Sequence, residues 1–554
     1  MSTAVKLFKD TYLDSVLQLS GTRAMSQAED VTWAAAAMAT PANLDVLREK
    51  GFRDEVPEAH ANDLFLAVLA GSAKAAGAAL EAGEAALFSH RPSGTATRGT
   101  ATRGTGTRGT GTRGTGASGT DGSDGIALAR SLADSLARLE GAANVAIVSV
   151  PGPYAALEAH KALTAGLHVL LFSDNVSLQE EVELKDRARA LGRLVMGPGA
   201  GTAMLAGTGL GFANVVRPGR VGVVAAAGTG AQEAMSLLDQ WGAGVSHVIG
   251  LGGRDLSRQV AGRMAISAIE ALQADAGTDA ILLVSKPPAP EVAQAVLSVP
   301  GAKALVAALI GLAPADAPAD APAAAVTAAT LEEGVTAVMA SLGLIAPDPT
   351  EGLLAPVDAA CDRLGGDRSL IRGLFSGGTL CYEALSLLYG LVGPVYSNTP
   401  IDKRWGLPAP DSAHTCLDLG EEEYTKGRPH PMIDHEARIE LMRQAGHEPE
   451  VAVVLIDVVL GYGSHPDPAG LLAPVAREIR AGGAGPEVVA YVLGTEADPQ
   501  GLAAQRAKMR DSGCIVPATA ARAALTAAAL ATRQPQLVLS TPAPARNEIP
   551  VSGY

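Results

Sequence analysis

Residues 228–238 read GTGAQEAMSLL and residues 378–388 read GTLCYEALSLL, and the fold is decided by these two stretches. Seven of the eleven positions are identical: Gly, Thr, Glu, Ala, Ser, Leu and Leu. An apolar run precedes each, RVGVV at 220–224 and IRGLF at 371–375. Behind each Gly-Thr, apolar residues recur at helical spacing: Ala231, Ala234, Met235 and Leu238, then Leu380, Ala384, Leu387 and Leu388. Both copies therefore read as strand, tight glycine turn, amphipathic helix, and their matching context marks an internal duplication.

The turn points to an anion. The first turn of a helix carries unpaired backbone N–H groups and about half a positive charge. Gly228 and Gly378 let an oxyanion approach the backbone closely, and Thr229 and Thr379 add hydroxyl donors. Two duplicated domains facing each other can aim both helix starts at one phosphate, so these four residues are the candidate phosphate-binding set.

Upstream of the first copy, the chain alternates strand and helix. Residues 145–150 (VAIVSV) read as a strand buried on both faces, 155–165 as a helix, 169–172 as a strand and 178–191 as a helix. The turn at 151–154 has one glycine where a dinucleotide fingerprint has three, so the pattern is Rossmann-like without a NAD signature. Residues 93–125 are low-complexity, with Arg98, Arg103, Arg108 and Arg113 on a five-residue period. Nothing there is large and apolar, and a flexible tether is expected. A second break, ADAPADAPAAA at 315–325, suits neither a helix nor a sheet interior. Before the tether, strands are expected over 5–9 and 64–69 and helices over 11–19 and 41–50, the second starting at Thr40-Pro41.

Composition bounds the function. The chain has 554 residues with 43 Lys and Arg against 58 Asp and Glu, a formal charge of −15. This balance argues against a nucleic-acid surface, and an aromatic content of 3% is too sparse for base-stacking platforms. No apolar run approaches the ~20 residues that span a bilayer. The longest, 451–460 and 305–313, read as buried strands, and the N-terminus carries charge where a secretory signal would be apolar. Cys361, Cys381, Cys416 and Cys514 form no CxxC pair, which suits buried thiols in a reducing cytoplasm. Cys381 reads as a packed thiol. The ten histidines show no metal-ligand spacing, and no metal is expected.

Outside the cradle, Arg428 and His430 are the candidate catalytic side chains. Pro429 and Pro431 hold His430 in an extended loop; Arg428 suits a carboxylate, and His430 suits donation to a carbonyl or acid–base work. Asp434 reads as the cap of a helix over 436–444. Asn398, Lys403 and His465 are candidate substrate contacts, the first two in a Pro-rich polar loop and the third at a strand's C-terminal edge.

These residues carry a resemblance. Residues 217–253 (RPGRVGVVAAAGTGAQEAMSLLDQWGAGVSHVIGLGG) resemble the ligase domain of the succinyl-CoA synthetase α subunit. Residues 145–196 resemble its CoA-binding domain, and Met196-Gly197-Pro198 the junction between the two. Residues 416–420 (CLDLG) and 451–463 are similar to the C-terminal domain of the β subunit. With YSNTP at 396–400 and GRPHPMID at 427–434, the arrangement resembles the FdrA family of acyl-CoA-synthetase-like proteins.

The resemblance implies an α/β architecture. A small N-terminal α+β domain (1–90) and the linker (91–125) lead to a Rossmann-like CoA-binding domain (126–218). Two flavodoxin-like ligase domains (219–343 and 371–535) follow, joined by a connector (344–370), and a tail (536–554) completes the chain. It also implies that the two Gly-Thr pairs are this chain's version of the cradle that holds a phosphohistidine. The departures are specific: the loop that should carry that histidine, about 305–325, has none, and Ser285-Lys286 replaces an expected acid. No ATP-grasp domain is present. A substrate that brings its own phosphate, an acyl or carbamoyl phosphate, then suits the cradle. The most concrete expectation is carbamoyl transfer between oxamate and carbamoyl phosphate, with partner subunits. The alternatives are an acyl-CoA synthetase using CoA with a nucleotide-binding partner, and a non-catalytic scaffold.

Overall fold

The computed structural model describes residues 2–9, 11, 13, 15–52, 59–60, 63–88, 129, 131–139, 142–312, 325–425, 429–481 and 485–544. The linker, most of the 315–325 break, and Arg428 lie outside these residues. The chain divides into two units, Met1–Ala142 and Ala143–Tyr554.

Unit 1 runs β1 (Ser2–Phe8), α1 (Ser15–Ser26), β2 (Val31–Met38), α2 (Pro41–Glu49), β3 (Leu64–Ala70), α3 (Ala73–Phe88) and α4 (Leu132–Arg138). Its antiparallel sheet has the order β1-β3-β2. Thr40 caps α2 as the sequence suggests, its side chain accepting from the Asn43 N–H at 3.4 Å. The first helix, expected over 11–19, instead runs from Ser15 to Ser26, because its second half packs on α3. Gly21 there makes room for Leu87, and Gly83 makes room for Met25. The central position of β3 explains its burial: Leu64, Phe65, Leu66, Ala67 and Val68 are all buried.

Unit 2 begins with β4 (Val145–Val148), α5 (Gly152–Thr164), β5 (His168–Leu171), α6 (Leu178–Ala190) and β6 (Val195–Met196), a parallel sheet of order β4-β5-β6. The expectation that 145–150 is buried on both faces is corrected here. The strand lies at the edge of its sheet, Ile147 is 55% exposed, and only Val148 is buried. A capping box of Ser177 and Glu180 starts α6.

The next elements are β7 (Thr202–Leu205), β8 (Thr208–Gly211), β9 (Pro218–Ala225), α7 (Gly228–Gln240), β10 (Val245–Gly250), α8 (Arg263–Ala274), β11 (Ala280–Ser285), α9 (Pro290–Leu297), β12 (Ala304–Leu309), β13 (Ala325–Ala328) and α10 (Leu331–Ser341). They form one sheet of order β13-β12-β11-β9-β10-β7-β8, parallel from β13 to β10 and closed by the antiparallel hairpin β7-β8.

After α11 (Leu354–Arg363) the plan repeats with β14 (Leu370–Phe375), α12 (Gly378–Val392), β15 (Val395–Tyr396), β16 (His414–Asp418), α13 (Glu422–Thr425), α14 (Glu436–His447), β17 (Val451–Val459), α15 (Pro468–Arg480), β18 (Glu487–Leu493), α16 (Leu502–Asp511) and α17 (Ala520–Thr532). This second sheet is parallel, of order β15-β16-β14-β17-β18. A 3-10 turn, Pro535–Leu539, follows α17 and buries Val538 against it. The architecture is α/β: a Rossmann-like layer and two flavodoxin-like sheets, with a small N-terminal α+β unit in the same chain.

The two sheets share one core. Ala234, Met235 and Leu238 of α7 and Leu380, Ala384 and Leu388 of α12 belong to the same buried cluster. The repeated glutamates sit inside it. Glu233 of α7 accepts from Tyr491 Oη and from the Ala520 N–H, the first residue of α17. Glu383 of α12 accepts from the Leu331 N–H, the first residue of α10, at 2.7 Å. Each copy's helix thus caps a helix of the other copy. Between α10 and α17, Glu332 pairs with Arg522 at 2.6 Å and accepts from Thr519 at 2.5 Å.

Candidate functional site

In a doubly wound sheet, the loops after the C-terminal ends of the strands build the site. Here the loops after β9 and β14 bring the two helix starts together. The Thr229 side chain lies over Gly377, its hydroxyl oxygen 2.8 Å from where a Cβ on that glycine would stand. Reciprocally, Thr379 lies over Gly230, its methyl 2.9 Å from the corresponding point. Both threonines are buried, and a side chain at either glycine would drive the two helix starts apart. Of the sequence-derived residues, Thr229 and Thr379 therefore meet at one junction, whereas Gly228 faces Thr202 and Gly378 faces Asp418 and Lys286.

Around Gly378 stand two charged groups. Asp418 Oδ2 lies 2.6 Å, and Lys286 Nζ 3.5 Å, from the point a Gly378 Cβ would occupy. Lys286 follows the end of β11 and belongs to the first copy; Asp418 ends β16 and belongs to the second. The ammonium of Lys286 also lies over the Tyr382 ring at 5.3 Å. Asp418 is held by its backbone: the Asn398 amide donates to its carbonyl at 2.8 Å and accepts from its N–H at 2.9 Å. Its Oδ1 accepts from the Gly420 N–H at 2.9 Å. Burial pushes the Asp418 carboxyl up to about 6, with Glu421 adding to the rise and Lys286 opposing it.

His430 joins this group. Its Nε2 is 3.0 Å, and Asp418 Oδ1 3.1 Å, from the point a Cβ on Gly420 would occupy. Its Nδ1 accepts from the Met432 N–H at 3.3 Å, so the neutral ring carries its proton on Nε2. Burial, and then the Arg438 guanidinium, lower its pKa to about 4, which keeps it neutral near pH 7. Phe212 lies tilted against the imidazole at 6.0 Å, and Phe172 stacks on Phe212 at 6.0 Å. The Pro-His-Pro stretch is thus a covered wall of the site.

Behind the second helix start, the Ser376 N–H and hydroxyl donate to the Asp457 carboxylate at 3.0 and 2.8 Å. Asp457 pairs with the buried Arg438 at 3.0 Å. The first copy has no such pair at the matching place, where the Ala226 N–H donates to the Val284 carbonyl at 2.9 Å. A small pocket opens beside the first helix start, lined by Gly199–Thr202, Ala225–Gly228, Gly250, Gly252 and Gly253. The second helix start does not line it. Lys185, fully buried, ties Asp255 and the Leu251 carbonyl of this wall to α6 at 2.8 and 3.0 Å.

The remaining candidates have other surroundings. Asn398 spends its amide on Asp418, so its geometric effect on the site runs through that residue. Lys403 opens the 3-10 turn Lys403–Trp405 and is exposed. His465 Nδ1 accepts from the Asp467 N–H at 3.0 Å, the His465 backbone N–H donates to the Met432 carbonyl at 2.8 Å, and the ring lies 5.6 Å from that of His435. Asp434 accepts from the Glu436 N–H at 2.8 Å at the start of α14, the capping role read from the sequence. Cys381 is buried, which pushes its thiol well above the ordinary range. Sequence reasoning missed Lys286 and Asp418 as site residues. The signal for Lys286 was its replacement of an acid after a buried strand.

Among the described residues, no group of three or more His, Cys, Asp or Glu is placed to hold a metal ion, and no helix is long and apolar enough to cross a membrane.

Residues 374–530 match the CoA-ligase family, and residues 1–103 match the family described as AllF, heavy metal-associated domain. Residues 1–103 contain no cysteine, so no thiolate is available there for a soft metal, and the donor set does not fit one. The chain is 41% identical over 394 residues to the uncharacterized protein YahF of Escherichia coli (strain K12), covering 69% of this chain and 76% of YahF. It is 27% identical over 146 residues to the α subunit of the ADP-forming succinate–CoA ligase of Methanothermobacter thermautotrophicus. That match covers 26% of this chain and 48% of the subunit, so the chain spans about half the length of that relative. A solved structure, the dinucleotide forming acetyl-coenzyme A synthetase 1 of Ca. Korarchaeum cryptofilum (apo form), aligns at 16% identity with a TM-score of 0.28, over 73% of this chain and 86% of that one.

Proposed function

We propose, for a chain that belongs to the family of Escherichia coli YahF, that unit 2 transfers a phosphate-activated carboxyl or carbamoyl group. The most specific form is carbamoyl transfer between oxamate and carbamoyl phosphate, carried out with partner subunits, as the FdrA resemblance implies. The observation that supports this reading is the reciprocal seating of Thr229 on Gly377 and Thr379 on Gly230. It brings two helix starts to one junction without a histidine to be phosphorylated between them. His430 presents Nε2–H, a donor, and its Nδ1 is already engaged by a backbone N–H. A ring so held does not offer a lone pair on Nε2 to a phosphoryl group.

In this reading the amides and hydroxyls at the helix starts bind the phosphate and stabilise the charge that accumulates as it leaves. Such preorganised donors are each worth about 10²–10³ in turnover. His430 donates to the carbonyl oxygen of the transferred group. Arg428 is assigned to the carboxylate of the acceptor, and Lys403 and His465 to its periphery.

A second reading, acyl-CoA synthesis, is favoured by the match of 374–530 to the CoA-ligase family. The glycine-lined pocket beside Gly228 is narrow and backbone-walled, which fits the thiol arm of CoA better than its nucleotide. Gly199–Thr202 and Gly250–Gly253 would hold that arm, and the thiol would supply the nucleophile.

The test is turnover of carbamoyl phosphate with oxamate by the chain purified with its partner subunits. Thr229→Val with Thr379→Val is expected to slow it about 100-fold or more without lowering the melting temperature. Unchanged turnover would remove the helix junction from the mechanism. Calorimetric CoA binding with no carbamoyl transfer would favour the second reading.

A further inference from the structure

We propose that Lys286 and Asp418, one from each copy of the repeat, form the charge-handling pair of this site: Lys286 binds the phosphate dianion, and Asp418 takes the proton that the incoming nitrogen releases. The inference rests on the group-transfer reading above and deepens it.

Electrostatics at Gly378 make the first half of the argument. A helix N-terminus repels a cation, by roughly 0.3–1 kcal/mol at exposed positions and more where water is excluded. Yet Lys286 Nζ stands 3.5 Å from the point a Cβ on Gly378, the first residue of α12, would occupy, on the same side as Asp418 Oδ2. Among the described residues its ammonium forms neither an ion pair nor a hydrogen bond; its neighbour is the Tyr382 ring. A doubly charged anion in front of this helix start attracts the ammonium and the α12 amides together, and a protonated Asp418 does not oppose it. A side chain at 378 would collide with the Asp418 carboxylate, and glycine avoids that collision.

Asp418 makes the second half. Its two oxygens are divided: Oδ1 accepts from the Gly420 N–H, and Oδ2 faces Gly378. Its backbone is clamped on both sides by Asn398, and the Gly420 N–H on Oδ1 holds the carboxylate itself. The charged groups facing it are Lys286, Glu421 and Asp457, with neutral His430 beside it. Its elevated pKa, about 6, suits a base that works near neutrality.

The step balances with groups already named. The nitrogen lone pair of the amide bonds to the carbonyl carbon of carbamoyl phosphate, and its N–H proton moves to Asp418 Oδ2. The bond from that carbon to the bridging oxygen breaks, and its electron pair leaves with phosphate, whose charge Lys286 and the helix amides hold. Asp418 then yields the proton to solvent. In the reverse direction protonated Asp418 is the acid.

The two roles separate experimentally. Calorimetry with inorganic phosphate on the full chain tests Lys286 without reference to any acceptor. Lys286→Ala is expected to weaken phosphate about ten- to a hundredfold, and Lys286→Arg to restore most of it. Asp418→Asn is expected to keep phosphate binding while turnover of the complex falls about 100-fold. It should also abolish the acidic limb of the kcat/KM profile near pH 6. Melting curves check that each variant folds. Phosphate binding unchanged in Lys286→Ala would overturn the anion half, and an acidic limb that survives Asp418→Asn would overturn the proton half. Lys286-dependent phosphate binding in a complex that transfers no carbamoyl group would sink the carbamoyl reading, and with it the proton half, while supporting the anion half.

Discussion

The turns that open α7 and α12 share a backbone course and differ in what stands behind it. Ahead of α7, the Ala226 N–H donates to the Val284 carbonyl, a backbone group, in place of a carboxylate. Ahead of α12, Ser376 leans on the Asp457 carboxylate, and Arg438 neutralises that carboxylate from below. Asp418 and His430 also belong to the second copy, whereas the first contributes Thr229 and Lys286. The two copies thus share a frame, and Asp418, Asp457, Arg438 and His430 around the second helix start come from the second copy alone.

The sharpest way to break this comparison is to remove Arg438, which has no counterpart in the first copy. Arg438→Ala strands the buried Asp457 charge and should cost about 3–5 kcal/mol. Urea unfolding would measure it. Pairing the change with Asp457→Asn should recover much of the loss, and no recovery would mean that the pair does not act as one unit.

The repeated glutamates sharpen the comparison next. Burial, above all, pushes Glu233 up to about 7 and Glu383 up to about 8. Tyr491, Arg506 and Glu332 surround Glu233; Glu233 and Glu332 face Glu383. Both carboxyls keep a proton in the folded chain at a pH where the unfolded chain has lost it. Stability therefore falls as pH rises from the ordinary glutamate range to about 7 for Glu233 and about 8 for Glu383. The slope is about 1.4 kcal/mol per pH unit for each group. Denaturation midpoints across the neutral range should show the decline. Glu383→Gln should flatten its alkaline end and Glu233→Gln its lower part. Wild-type slopes in both variants would mean that neither group carries the linkage.

The smallest effect compares the glycines under the two threonines. Gly377→Ala meets the Thr229 methyl most closely, then its hydroxyl at 2.8 Å and Cβ at 3.1 Å, and should cost about 1–3 kcal/mol by overpacking. Gly230→Ala meets the Thr379 and Val284 methyls at 2.9 and 3.0 Å, looser contacts, and recovers about 0.5–1 kcal/mol of helix preference. Its net cost in thermal melts should be smaller, and the reverse ranking would show that the junction is less symmetric than its sequence.

What could be read from the sequence was what neighbouring residues encode. The duplicated Gly-Thr turns and their amphipathic helices follow from local spacing, as do the Thr40 cap and the capping role of Asp434. Strand β2 (VTWAAAAM) was not legible, because its alanines carry little strand preference and it forms by pairing with β3. The hairpin β7-β8 escaped notice because its turn places Ala206 at φ 49°, a conformation that the sequence does not announce. Residues 145–150 misled in the other direction: continuous apolar character cannot distinguish a central strand from an edge. At the site, the Pro-His-Pro stretch looks like an exposed loop until Phe212 covers it. The meeting of Lys286 with Asp418 joins residues from separate sheets, and no window along the chain contains both.

The crossed caps have a consequence for how this chain came to be one polypeptide. Glu233 serves the first residue of α17 and Glu383 the first residue of α10. If the gene were divided in the connector between the copies, each fragment would present a buried acid without its amide and a helix end without its acid. Neither fragment would be a self-sufficient protein, and the two would have to find each other in equal numbers before either became stable. Covalent continuity removes that search and fixes the stoichiometry at one to one.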